Sequence, residues 1–288
     1  MKTRICKLLA MTALLFFGIS AQAAVSCSIG SAGFFSVYDG LAATDNLNQG
    51  TYTVNCTRLA TDPAAFNYIT NTDDGRYNNG PNNRALLTTA TTYLKYDFFT
   101  SSSYGTNWSK GLKCIVGSMN FGSSLSASQT QPYYAKIPTG QTGLTQGTYI
   151  DTVTILVTYN QAACQNGAGG GTSGAFQVQI SNVPSCQIAL PPGTVAFSYT
   201  AFAAVAATAS TSFSARCSGS MAYTMALDAN VGVVSGLNYS LALSAPSGTG
   251  NGALQNYTVN GSMAAGQAGT CASSSCTASD PRILTITY

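Results

Sequence analysis

The sequence predicts an all-β protein with two β-sandwich domains. Short runs rich in Val, Ile, Thr and Tyr alternate with Gly and Asn, a pattern typical of strands joined by turns. One long segment, which opens with Ser-Cys, occurs twice in the chain. The chain also closes on RILTITY, in which aliphatic residues and threonines alternate as they do in a strand. Each feature has its own consequence for function.

The first 23 residues are predicted to be a secretory signal peptide. Lys2, Arg4 and Lys7 flank the start of an apolar run, Leu8 to Ile19, and Ala21-Gln22-Ala23 is a small-x-small cleavage site. The apolar run is too short for a lasting membrane span. We therefore expect an exported protein.

Charge and composition exclude several classes of function. The chain has 12 Lys and Arg, nine acidic residues that are all Asp, and no His. Three of the basic residues lie in the predicted signal peptide, so the mature chain is close to neutral and offers no basic face for nucleic acid. Without His, the usual serine, cysteine and metal hydrolytic sites are missing. Asp73 and Asp74 lie in a turn-like segment, where aspartate commonly caps backbone. We predict no enzyme, metal or cofactor.

The cysteines are expected to form disulfides. Cys6 falls in the predicted signal peptide, and an even number remains in an exported chain. Sequence alone leaves the connectivity open. The simplest pairing within two independent units is Cys27–Cys56, Cys114–Cys164, Cys186–Cys217 and Cys271–Cys276.

The repeat divides the mature chain into two copies, residues 24–183 and 184–288. Each copy opens with Ser-Cys, passes through an aromatic-rich segment, and reaches a second cysteine at similar spacing. The copies also share an ending, which reaches Tyr159 in the first and Tyr288 in the second. We therefore predict two domains with these boundaries.

The two copies differ after that shared ending. Tyr159 is succeeded by a glycine-rich turn and then AFQVQISNV, in which Phe176, Val178 and Ile180 alternate with polar residues. This segment is predicted to fold back antiparallel to the preceding strand and complete the first domain. The second copy has no counterpart to it after Tyr288.

A missing last strand predicts an open groove in the second domain. An immunoglobulin-like sandwich without that strand has unpaired backbone groups along its edges. Another chain can supply the strand, which is β-strand addition. We expect Leu284, Ile286 and Tyr288 to form the docking edge for that strand.

The ordered set of residues in both copies resembles the spore coat protein U domain family, the module of archaic (Csu-type) chaperone–usher pili. The second copy departs from the family pattern at the Cys271–Cys276 loop and at Asp280-Pro281. The matching positions are Cys27, Cys56, the stretch from Arg84 through YLKYDFF, Trp108, Ile137, Pro138, Gly140, Gln141, Gly147, Tyr149, Asp151 and Tyr159 in the first copy, and Cys186, Cys217, Gly266, Gln267 and LTITY in the second.

The resemblance implies assembly by strand exchange. A periplasmic chaperone lends a strand to the incomplete domain, and an outer-membrane usher replaces it with the N-terminal strand of an adjacent pilin. Only residues 24–26 separate the predicted cleavage site from Cys27, so we expect this subunit to accept a strand but not to donate one. It should then be a tip adhesin at the cell surface, active in attachment and biofilm formation on host or abiotic surfaces. The alternatives are a minor or shaft pilin, or a secreted carbohydrate-binding β-sandwich protein.

The adhesive surface is harder to predict. The segment CIVGSMNFGSSLSASQTQ is either an exposed apolar loop that binds surfaces or a core strand between turns. Trp108 suits a sugar-stacking platform or a core position, and the resemblance to the family around Trp108 favours the core. The candidate loop residues are Ile115, Val116, Met119, Phe121 and Leu125.

Overall fold

The protein is an all-β structure, which confirms the predicted fold class. The computed structural model describes residues 25–30, 32–77, 83–109, 113–164 and 171–288, and these contain 18 strands. Within these ranges no helix is long and apolar enough to cross a bilayer. The predicted signal peptide, residues 1–23, lies outside the described residues.

The first unit is a sandwich of two layers that share a core. One layer has the strand order β1-β3-β8-β6-β5 and the other β7-β4-β9-β10-β2, and β5 also pairs with β9. The strands are β1 (Ser26–Ile29), β2 (Gly33–Asp39), β3 (Asn46–Thr57), β4 (Ala65–Thr72), β5 (Asn83–Leu87), β6 (Tyr93–Phe99), β7 (Ile115–Asn120), β8 (Ser126–Ile137), β9 (Gly147–Tyr159) and β10 (Gly171–Val183).

Aromatic side chains dominate the core of the first unit. The Phe98 ring packs edge-on against the Phe176 ring, with 5.0 Å between the ring centroids. Trp108 is 2% exposed, stacks on Tyr52, and donates its indole N–H to the Thr70 carbonyl at 2.8 Å. Trp108 is therefore a core residue and cannot serve as a sugar-stacking surface.

Strand β10 fills the space between β9 and β2. It runs antiparallel to β9 and parallel to β2, so both of its edges are paired. Phe176, Val178 and Ile180 point into the core and are at most 2% exposed. The polar residues between them face outward, which is the alternation expected of a strand buried on one face.

The prediction of an exposed adhesive loop is wrong for its two central residues. Met119 lies in β7 and is 1% exposed, and Phe121 is 5% exposed. Strand β7 pairs with β4, and the Phe121 ring packs 5.9 Å from the Phe66 ring. Pairing with a distant strand therefore places this segment in the sandwich.

The other three candidate loop residues are less buried. Ile115 is half-buried against the edge of the core, whereas Val116 and Leu125 are largely exposed. Val116 and Leu125 are separated by the buried positions, so no apolar loop is formed.

The second unit repeats most of this arrangement. One layer has the order β11-β12-β17-β15-β14, and the other contains only β16-β13-β18. These orders match β1-β3-β8-β6-β5 and β7-β4-β9 of the first unit. The strands are β11 (Cys186–Leu190), β12 (Ala207–Cys217), β13 (Ala222–Leu227), β14 (Val231–Val234), β15 (Leu237–Leu243), β16 (Ser247–Thr249), β17 (Leu254–Met263) and β18 (Leu284–Thr287).

Counterparts of β10 and β2 are missing from the second layer of this unit within the described chain. A separate core, centred on stacked Phe213 and Tyr257, lies between its two layers. The structure thus consists of two immunoglobulin-like sandwiches, of which the C-terminal one lacks its last strand, as predicted.

The described residues contain four disulfides, two in each unit. Cys27 faces Cys56 across β1 and β3, and Cys186 faces Cys217 across β11 and β12. The other two pairs are Cys114–Cys164 and Cys271–Cys276. The first pair in each unit joins equivalent neighbouring strands, so the repeat extends to the covalent cross-links.

Burial of Asp97 gives the first unit a pH-dependent stability. Asp97 is 8% exposed on β6 and accepts a hydrogen bond from the Asn83 N–H at 3.3 Å. Burial raises the pKa of Asp97 from 3.8 to about 6, although the Asn83 hydrogen bond and Lys136 oppose this shift. The folded state therefore binds the proton more tightly than the unfolded state. The contribution of protonated Asp97 to the free energy of unfolding is therefore complete below about pH 4. It is lost as the pH rises through about 6.

We predict that Phe176→Ala destabilises the first unit by about 3–5 kcal/mol, because it empties the centre of the core. Trp108 is the only tryptophan, so its fluorescence during urea unfolding reports this unit alone. The matched control is Gln177→Ala at the adjacent exposed position, which should change stability by less than about 0.5 kcal/mol. Equal effects of the two substitutions would contradict the placement of β10.

We also predict that Asp97→Asn flattens the pH dependence of unfolding. The free energy of unfolding of the natural chain should fall more steeply between pH 4 and pH 7 than that of the variant, since the variant lacks the Asp97 proton that is lost there. Urea unfolding followed by Trp108 fluorescence at several pH values measures both slopes. Parallel curves for the two proteins would show that Asp97 titrates normally.

Candidate strand-acceptor groove

A glutamine binds a loop to a strand in the same way in each unit. The Gln141 side chain accepts a hydrogen bond from the Lys95 N–H at 2.7 Å and donates to the Lys95 carbonyl at 3.0 Å. Gln267 makes the same pair of bonds to Asn238, at 2.7 and 3.0 Å. In both units a side-chain amide takes the place of a neighbouring strand. Gln267 is therefore the counterpart of Gln141.

A tyrosine at the edge of each unit reaches the same loop. The hydroxyl of Tyr38, in β2, accepts a hydrogen bond from the Gln141 N–H at 3.2 Å. The Tyr199 hydroxyl accepts one from the Gln267 N–H at 2.9 Å. The segment that leads to Tyr199 therefore corresponds to β2. However, no strand pairs with residues 191–200 in the described part of the chain.

A tyrosine–aspartate pair also occurs in both units, buried in the first and part-buried in the second. The Tyr96 hydroxyl donates to Asp151 Oδ2 at 2.7 Å, and the Tyr239 hydroxyl donates to Asp280 Oδ2 at 2.6 Å. Burial raises the pKa values of Tyr96 and Asp151. Burial, followed by the bond to Asp280, raises the pKa of Tyr239. Asp280 is thus the counterpart of Asp151.

This correspondence sets the register of the last strand. With Asp280 on Asp151, residues 280–288 align with residues 151–159 of β9. In the first unit, that part of β9 pairs with β10 as far as Thr158. In the second unit, β18 pairs with β13 on one side, and within the described chain no strand pairs with its other side.

A groove occupies the place of the missing strand. It has a volume of about 810 Å³ and lies between residues 192–199 and residues 276–284. These two walls correspond to β2 and β9 of the first unit. Side chains of the second core, including Leu241 and Met263, form its floor. The groove thus lies where β10 lies in the first unit.

The three predicted docking residues have different environments. Leu284 lines the groove and, like Ile286, packs half-buried against the second core. Tyr288 is 59% exposed and instead borders a separate hollow of about 490 Å³ beside Tyr223. The structure therefore places Leu284 at the groove and Ile286 against the second core. Tyr288 lies at the other hollow instead.

Sequence reasoning missed the charged end of the groove. Arg282 lies on the groove wall, donates through Nε to the Tyr239 hydroxyl at 2.8 Å, and pairs with Asp280 at 2.6 Å. Its role becomes visible only when Asp280 is aligned with Asp151, because Arg282 then occupies the position of buried Val153. Arg282, Asp280 and Tyr239 thus form a charged cluster at one end of the groove.

Known proteins give three relevant structural comparisons. The chain is 15% identical to a chain of the CsuC–CsuE chaperone–tip adhesion subunit pre-assembly complex of archaic chaperone-usher Csu pili from Acinetobacter baumannii, with a TM-score of 0.52 over 91% of this chain and 100% of that chain. The CupB6 tip adhesin from Pseudomonas aeruginosa is 11% identical, with a TM-score of 0.41 over 92% of this chain and 95% of that chain. The CooA pilin subunit from enterotoxigenic Escherichia coli is 11% identical, with a TM-score of 0.32 over 55% of this chain and 98% of that chain.

The similarity to the chain of the CsuC–CsuE complex, at a TM-score of 0.52, shows a shared fold. A search of curated proteins found no match. The model of the spore coat protein U domain matches residues 13–156 and 172–249, which span both units and most of the chain. The chain therefore belongs to the spore coat protein U domain family.

Proposed function

We propose that this protein is the tip adhesin of an archaic chaperone–usher pilus. The N-terminal domain, residues 24–183, is complete and carries the adhesive surface. The C-terminal domain, residues 184–288, accepts a strand that joins the subunit to the pilus. Residues 1–23 direct export through the periplasm to the cell surface. The role is assembly and attachment, with no catalytic step and no cofactor.

The groove of the second unit is the observation that carries this proposal. The same sandwich occurs twice in one chain, once with β10 between its walls and once with an open groove at the equivalent place. The first unit therefore shows what fits the second: an extended strand with alternate apolar side chains. Such a strand would hydrogen-bond to the free side of residues 280–288 and cover the apolar floor.

The partners follow from the cost of leaving the groove open. Exposed strand edges and apolar core promote aggregation, so the second unit needs a temporary strand before assembly. In this proposal a periplasmic chaperone supplies it. At the outer-membrane usher, the N-terminal strand of the adjacent pilin then replaces it, which is donor-strand complementation. The fold shared with a chain of a chaperone–tip adhesion subunit complex supports a chaperone as one of these partners.

The adhesive surface is proposed to be an apolar row across the outer face of the first unit. Strand register places Phe35, Gln179, Ile150, Leu86 and Tyr93 side by side. Partners in register have side chains on the same face, so the row spans about 19 Å across five strands.

The row is well exposed for a strand surface. Phe35 is 66%, Ile150 40% and Tyr93 39% exposed. The Tyr77 ring lies 6.2 Å from the Tyr93 ring and extends the aromatic end. A surface of this kind favours contact with apolar abiotic material or apolar patches on a host cell, and attachment by many pili would start a biofilm.

We predict that an added strand rescues the full chain. The variant carries, after Tyr288, a Gly/Ser linker and a copy of residues 171–183. Without a chaperone, the unextended chain should aggregate or be degraded in the periplasm, whereas the extended chain should be soluble and monomeric. Size-exclusion chromatography and limited proteolysis measure this. The matched control has the same linker and a scrambled copy. An unextended chain that is equally soluble, monomeric and protease-resistant would contradict the proposal.

We further predict that Phe35→Ser with Ile150→Ser reduces attachment of piliated cells to polystyrene at least about tenfold, since it removes the most exposed apolar residues of the row. Pilus number, counted by electron microscopy, should not change. Leu254→Ser, at an exposed apolar position of the second unit, is the control and should leave attachment intact. Equal attachment of the double variant and the natural chain would locate adhesion elsewhere.

A further inference from the structure

Arg282 occupies a position that is apolar and covered in the first unit. It aligns with Val153, which is fully buried and pairs in register with Phe176 of β10. Side chains paired in register lie on the same face of a sheet. One residue of any strand that fills the second groove in this register therefore lies beside Arg282, on the side facing the core.

The guanidinium of Arg282 is only partly satisfied by the protein. Nε donates to the Tyr239 hydroxyl, and Nη2 donates to Asp280 at 2.6 Å and to the Val231 carbonyl at 3.3 Å. No residue in the described ranges accepts a hydrogen bond from Nη1. The Arg282 side chain is 21% exposed, so water can solvate Nη1 while the groove is open.

Filling the groove changes this balance. A strand over Arg282 displaces the water, and an aliphatic or aromatic side chain there would leave charged N–H groups without acceptors. In the first unit Phe176 makes an apolar contact with Val153. A phenylalanine beside Arg282 would offer the guanidinium no hydrogen-bond acceptor. The groove therefore favours an incoming strand with an acceptor at this one position.

The local charge selects the type of acceptor. Asp280 pairs with Arg282, and Asp228 also contributes a negative charge nearby. One cation already faces two carboxylates, so a third carboxylate would be repelled, and a lysine would repel Arg282 itself. A neutral amide offers a carbonyl oxygen without adding charge.

We propose that Arg282 is a specificity-determining residue that selects a donor strand with Asn or Gln at the position paired with it. This proposal rests on the proposed strand-acceptor function. It also explains how the second unit discriminates against β10 of another copy of this chain, which has Phe176 at that position. Tyr239 and Asp280 hold the guanidinium toward the groove.

The test uses the full chain with its C-terminal linker and copy of residues 171–183. Four versions have Gln, Leu, Phe or Lys at the copied Phe176 position. The Tm of the second unit is taken from the calorimetric transition that does not change Trp108 fluorescence. We expect Gln to raise this Tm above that of Leu and Phe by at least about 4 °C, and Lys to be lowest. In Arg282→Val, which copies Val153, Leu and Phe should exceed Gln.

The control replaces the copied Gln177, which faces outward, with Leu. This change should leave the order of the Tm values the same, both with Arg282 present and in Arg282→Val. If Leu or Phe matches or exceeds Gln with Arg282 present, the specificity proposal is overturned. Stabilisation by every extension relative to the scrambled one would then still support strand acceptance. If no extension stabilises the chain more than the scrambled one, both proposals are wrong.

Discussion

The pairing of a strand on both of its edges is the constraint on which this structure depends. In the first unit β10 provides hydrogen-bond partners for β9 and β2 at once and places Phe176 at the centre of the core. In the second unit the equivalent walls are present without that strand. Backbone N–H and C=O groups there must bond to water or to another chain. The main difference between the two domains thus lies in the strand β10.

The open groove keeps its shape because its walls are anchored outside the missing strand. Gln267 binds its loop to β15 and to the Tyr199 hydroxyl, and Tyr239 bonds to Asp280 on the opposite wall. These contacts repeat those of Gln141 and Asp151 in the filled unit. A preformed groove lowers the ordering cost that an incoming strand must offset. The repeated Gly-Gln and tyrosine positions therefore anchor the walls of the groove.

Much of the fold follows from local patterns in the sequence. Alternation in AFQVQISNV predicts both the existence of β10 and the burial of Phe176, Val178 and Ile180, because strand periodicity alone sets which face is apolar. The two domains, and the second domain's lack of a counterpart to β10, follow in the same way from the repeat. These features require only neighbouring residues or the comparison of one half with the other.

Other features depend on distant contacts and are not visible in local patterns. The segment around Met119 is rich in Gly and Ser and has no clear alternation, yet pairing with β4 buries it. The row from Phe35 to Tyr93 combines strands far apart in the chain, so only the register reveals it. Arg282 gains meaning only from the tyrosine–aspartate pair that aligns it with Val153.

The position of Arg282 bears on how one chain can contain both a donor-type strand and an acceptor. The strand β10 is covalently close to its own groove and pairs apolar Phe176 with Val153. If the second groove had the same apolar lining, β10 of a neighbouring molecule could fill it equally well and subunits would join without the usher. In the specificity proposal Arg282 weakens that pairing between molecules, because Phe176 would cover the guanidinium and offer no acceptor to Nη1. A strand tethered to the same chain can still bind, since its effective concentration is high. Under this proposal the two units share a backbone geometry, while one side chain separates the strands that they prefer.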